Sequence, residues 1–126
     1  MYDRGLLTEI LRQVHQACKV VMARFEPVGS VDDFTQSAAG MEKLDAICMQ
    51  LIAIGESLKK IDTITEGRFL PKYSAIDWKK AKGLRDILSH HYFDVNAEAI
   101  YDVCQTKVPA MAESVRQMLQ DIEQVE

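Results

Sequence analysis

The strongest constraint on the fold lies between residues 41 and 61. There Met41, Leu44, Cys48, Leu51, Ile54, Leu58 and Ile61 advance by steps of three or four. An α-helix turns about 100° per residue, so this spacing gathers the apolar side chains on one face and leaves Glu42, Asp45, Gln50 and Lys59 elsewhere. A second stretch, from Asp3 to Phe25, repeats the pattern with Leu6, Leu7, Ile10, Leu11, Val14, Val21, Met22 and Phe25. Pro27 and Gly29 end it, and Ser30 with Asp32 and Asp33 can start a short helical turn through Phe34. Residues 62–74 carry Gly67 and Pro71 and have no clear period, which predicts a loop with one short helical turn. Asp77 is a candidate N-cap for a helix from Trp78 to about Ser89. Asn96 is another, for a helix from Ala97 to about Ile122 that Pro109 should kink. No strand pattern of useful length appears. Three long helices and a shorter one, joined by short connections, predict an all-α, up-and-down four-helix bundle in a single domain, residues 1–126. The stripe on the second helix is broad. It is either all intramolecular core or partly a surface for another copy of the chain.

At 126 residues and 48% hydrophobic, the chain can bury a core without disulfides or a structural metal. Its formal net charge of −4 argues against coating nucleic acid by bulk attraction, which needs a basic field over much of the surface. A local basic patch stays open. Cys18, Cys48 and Cys104 are odd in number and widely spaced, which fits neither a disulfide framework nor a zinc finger but fits a reducing cytoplasm. Charges interrupt the apolar residues of the N-terminal segment, so it has neither a signal-peptide core nor a membrane span. A cytoplasmic protein without membrane attachment, metal or cofactor is expected.

Chemistry-bearing residues concentrate in 79–92, KKAKGLRDILSHHY, which holds two of the chain's three histidines beside Lys79, Lys80, Lys82, Arg85 and Tyr92. Each has an ordinary reading as well: cations solvate a helix face, and a histidine near a helix C-terminus complements the dipole. If the helix continued, Arg85 and Tyr92 would lie within roughly 20° of each other, while Asp86 and His90 could touch along one face. Arg85 and His90 are roughly 140° apart around such a helix. They share a site only if the helix unwinds near His90, if Arg85 reaches round, or if a second protomer completes the site. Elsewhere, His15 and Cys18 are three apart, but no matching pair exists to finish a metal site.

The run from Arg85 through His90 to Tyr92 fits a signature of Arg, four residues, His, any residue, Tyr, and in this it resembles the HepT-like toxins of the HEPN superfamily. Ile54-Gly55-Glu56 resembles that family's segment on the second helix, and Ile76-Asp77-Trp78 its lead into the motif helix. Asp86 stands where many relatives carry Asn. The resemblance implies a homodimeric helical bundle whose cleft gathers Arg85 and His90 of both protomers, with Asp86, Tyr92 and Glu56 as further members. It implies metal-independent cleavage of RNA through the RNA's own 2′-hydroxyl. His90 would move protons and Arg85 would stabilise charge on phosphate, as a group titrating near neutrality and a fixed cation suit. Lys79, Lys80 and Lys82 are candidates for the RNA backbone. A minimal nucleotidyltransferase antitoxin is the implied partner, silencing the toxin by transferring AMP to Tyr92. Two other readings remain: a non-catalytic subunit that binds nucleotide or substrate for a nucleotidyltransferase, and a structural helical dimerisation module.

Overall fold

Four of the helices begin where the sequence offers a side-chain cap. The structure, a computed structural model, describes residues 2–124. Helix α1 (Arg4–Phe25) is capped by Asp3, whose carboxylate accepts from the Leu6 N–H at 3.0 Å. A short α2 (Asp32–Thr35) leads to Ser37, whose hydroxyl accepts from Gly40 N–H at 2.9 Å and opens α3 (Ala38–Thr65). Helix α3 stops at Glu66 and Gly67, both in the left-handed region with φ of 55° and 71°. The expected turn in the following loop is a 3₁₀ turn at Leu70–Lys72. Asp77 then accepts from Lys80 N–H at 3.0 Å and starts α4 (Trp78–His90). Asn96 accepts from the N–H groups of Glu98 and Ala99 and starts α5 (Ala97–Asp102).

The last predicted helix differs in one respect. Between α5 and α6 (Val108–Glu123) the chain makes a π turn, Val103–Lys107, in which Val108 N–H donates to the Val103 carbonyl five residues back. Pro109 is the cause: its ring collides with the carbonyl four residues earlier and it has no N–H to give, so a wider turn makes room. The disturbance expected from Pro109 takes the form of this wider turn.

Helix α1 packs against both α3 and α6, and α4 packs on α3. The core is built from Leu7, Leu11 and Val14 of α1, Ile47, Leu58 and Ile61 of α3, and Val115 and Met118 of α6, all essentially without exposure. Each such residue withdraws about 1.5–3 kcal/mol of apolar surface from water, which is what holds the all-helical layers together. Helix α4 has no comparable packing against α6. The two leave a largely apolar groove of about 720 Å³ between them, floored by Leu51 and Ile54 and walled by Leu84 and Ile87 on one side and Val108 and Met111 on the other. Among the described residues no helix is long and apolar enough to cross a membrane.

Candidate functional site

Where α3 and α4 cross, one glycine decides how close they come. A Cβ on Gly55 would lie 2.3 Å from the Arg85 Cβ, nearer than any real contact. With hydrogen there, α4 settles against α3 and Arg85 lies along the groove beside Glu56. The Arg85 guanidinium, 24% exposed, makes an ion pair through Nε with Glu56 and donates from Nη1 to Asp86 at 3.0 Å. Asp86 also accepts from Lys59 of α3 at 2.7 Å. One turn toward the start of α4, Lys82 is paired with Asp62. The pairs run antiparallel, so that Asp62, Lys59 and Glu56 on α3 meet Lys82, Asp86 and Arg85 on α4.

This lattice fixes the charge states at its centre. The Arg85 guanidinium is raised above its ordinary value, first by the hydrogen bond to Asp86 and, against some desolvation, by Glu56. Asp86 is held below the usual carboxylate range, first by its bond from Lys59 and then by Arg85. Both stay charged across neutral pH. Two carboxylates and two cations cancel at this point, yet Arg85 Nη2 has no hydrogen bond among the described residues and remains available to an anion.

Helix α4 ends at His90. The next residue, His91, has φ −134° and ψ 38°, its N–H closing on the Ile87 carbonyl at 2.9 Å, and a 3₁₀ turn follows at Tyr92–Asp94. The estimate that put Tyr92 on the Arg85 face assumed an unbroken helix, and the break redirects it. The Tyr92 ring turns onto α3, where its hydroxyl donates to Asp45 and meets the thiol of Cys48. Burial first, then Asp45, raises the phenol well above its ordinary value. Asp45 and Glu56 are separated by about 16 Å of helix, so Tyr92 and Arg85 are anchored to distinct parts of α3.

The expected residues thus fall into three groups. Arg85, Asp86 and Glu56 are brought together at the α3–α4 crossing. His90 is exposed at the end of α4 and makes no hydrogen bond or ion pair among the described residues; Asp86 faces α3 and does not bond it. Lys79 and Lys80 are exposed and make no ion pair among the described residues, whereas Lys82 is committed to Asp62. Sequence reasoning placed Gly55 in a family-like segment without its packing role, and it missed Lys59, Asp62 and Asp45 as parts of the arrangement. The steps of three from Glu56 through Lys59 to Asp62, set against the basic run of α4, were the available signal.

With this geometry in view, comparison with known proteins is specific. Residues 9–118 match the family described as "Ribonuclease HepT-like". A protein of Methanocaldococcus jannaschii named "Putative RNase MJ0127" is 37% identical over 78 residues, which are 62% of this chain and 61% of that protein. "Putative RNase TTE0752" of Caldanaerobacter subterraneus is 29% identical over 110 residues, covering 87% of this chain and 91% of that protein. The match to the first spans less than two thirds of its length. No solved structure matches the chain significantly.

Proposed function

This chain belongs to the HepT-like ribonuclease family of the HEPN superfamily, and from that premise we propose that it is a metal-independent endoribonuclease and the toxin of a toxin–antitoxin pair. The observation that carries the reading is the pairing of a fixed cation with an unencumbered imidazole on one helix. Arg85 is locked at the α3–α4 crossing with one guanidinium nitrogen free, and His90 stands exposed at the helix end. In the proposed reaction the 2′-oxygen attacks the adjacent phosphorus and loses its proton to the His90 imidazole. The P–O5′ bond breaks, the leaving 5′-oxygen gains a proton, and a 2′,3′-cyclic phosphate remains. Arg85 Nη2 faces the charge that grows on the non-bridging oxygens. Lys79 and Lys80 offer cations for the neighbouring phosphates.

Among the described residues no hydrogen bond or ion pair joins His90 to Arg85, which favours a homodimer in which the motifs of two protomers face each other. One His90 would then accept the proton while the other supplies one. Tyr92 is proposed as the residue that a minimal nucleotidyltransferase silences by attaching AMP, because the added phosphate would repel the RNA backbone. A second reading, a non-catalytic nucleotide-binding subunit, is favoured by the two carboxylates already on Arg85.

Cleavage of RNA in EDTA by the purified chain separates these readings. His90→Ala is expected to lower the rate by on the order of 10²-fold or more with unchanged melting, since the side chain is exposed and unpaired. Arg85→Ala should abolish cleavage, at some cost in stability because Glu56 loses its cation. Wild-type products should carry cyclic phosphate ends, and the protein should sediment as a dimer. Loss of activity on chelation, 5′-phosphate ends from the outset, or a monomer at micromolar concentration would refute the corresponding part. No cleavage with nucleotide binding retained would select the second reading.

A further inference from the structure

We propose that Asp45 is the general base for modification of Tyr92, taking the phenolic proton as the tyrosine oxygen attacks a nucleoside triphosphate. This rests on the reading of Tyr92 as the site of AMP attachment and adds the residue that makes its oxygen a nucleophile. The geometry is direct: the Tyr92 hydroxyl donates to the Asp45 carboxylate, across 47 positions of sequence, at the exposed edge of α3.

Asp45 accepts no second hydrogen bond and makes no ion pair among the described residues, so its carboxylate is free to hold a proton. The other tyrosines differ. Tyr73 also donates to a carboxylate, Asp121, at 2.8 Å, but that carboxylate accepts from Gln117 as well and is held below its ordinary range, which makes it a poorer base. Tyr101 donates to a backbone carbonyl, that of Gly29, which takes no proton. A base is needed because the Tyr92 phenol is raised, so at neutral pH almost none of it is phenolate. The titratable groups facing the phenol are Asp45 and Cys48, both on α3, and burial pushes the Cys48 thiol up to about 11, which leaves Asp45 as the acceptor.

The step balances. A bond forms from Tyr92 Oη to the α-phosphorus of ATP, the bond from that phosphorus to the bridging oxygen breaks, and pyrophosphate leaves with the electron pair. The phenolic proton passes to Asp45 and then to water. Once the adduct is made, Tyr92 has no hydrogen to donate, so its tie to α3 is also lost.

The test incubates the full chain with ATP, magnesium and the cognate minimal nucleotidyltransferase, and follows mass gain and the modified peptide. Asp45→Asn should slow the addition of AMP to Tyr92 by about 10²-fold, and Asp45→Glu should keep much of the rate. Asp45 is exposed, so helicity and melting should be unchanged. The ratio of wild-type to Asp45→Asn rates cancels the partner's own pH dependence, and it should fall as pH rises from 7 to 9, because hydroxide replaces the missing base. If Tyr92 is modified equally fast in both proteins at every pH, Asp45 is not the base and the modification reading stands. If wild-type protein gains no AMP on Tyr92, that reading fails and this one with it.

Discussion

At Gly55 two effects of a single methyl group oppose each other. Alanine favours a helix interior over glycine by about 1 kcal/mol, and α3 runs through this position. The added carbon, however, would stand 2.3 Å from the Arg85 Cβ and 3.1 Å from its Cγ, which forces α4 away from α3. Overpacking of this kind costs about 1–3 kcal/mol, so the clash wins. Gly55→Ala should lower the urea midpoint and should weaken RNA cleavage by displacing Arg85 from Glu56. A rise in the midpoint with unchanged cleavage would show that the crossing is looser than its geometry. Two residues of the crossing were legible in the sequence: Arg85 stands in a recognisable pattern with His90 and Tyr92, and Glu56 follows a glycine. Their partners were less so. Asp45 and Lys59 read as polar residues off the apolar stripe, because helical periodicity says which face a side chain occupies and nothing about which helix covers that face.

Helix α4 is the element on which the motif depends, and its two ends behave differently. At the start, Asp77 accepts from Lys80 N–H and Trp78 anchors the first turn, its indole N–H donating to the Tyr73 carbonyl at 2.8 Å. At the end no side chain among the described residues caps the last turn, and His91 leaves the helical region. Asp77→Ala should therefore cost about 1 kcal/mol, measured as a lower melting temperature with a small loss of helicity. No change in either would mean that Trp78 alone holds the start of the helix. Caps such as Asp77 and Asn96 were legible because a short polar side chain before an apolar period has few other uses. The C-terminal break was not, since nothing between His90 and Tyr92 is a glycine or proline. The break coincides with a tertiary contact, the Tyr92 hydroxyl donating to Asp45 on α3. Likewise Pro109 announced a disturbance, but a π turn rather than a plain kink is the form that keeps Cys104 and Val108 both buried.

Across the whole molecule, the connection between α3 and α4 is tied to the far end of the chain. Tyr73, packed against Phe69 at a centroid distance of 5.5 Å, donates from its hydroxyl to Asp121 near the end of α6. Burial first, and then Asp121, pushes its phenol up to about 12. An unfolded tyrosine loses its proton near pH 10. The folded chain therefore holds this proton through a range in which the unfolded chain has released it. The stabilisation is complete below about pH 10 and is lost as pH climbs toward 12. Tyr92 adds a parallel contribution, since its phenol is raised as well. Stability measured by urea denaturation should thus fall steeply above pH 10. Tyr73→Phe should be less stable than wild type at pH 8, having lost the bond to Asp121, and should show a shallower fall at high pH because one of the two phenols no longer titrates. Equal slopes for the two proteins would mean that Tyr73 ionises in the folded chain as freely as in the unfolded one, and that the tie between the α3–α4 connection and α6 does not hold in solution.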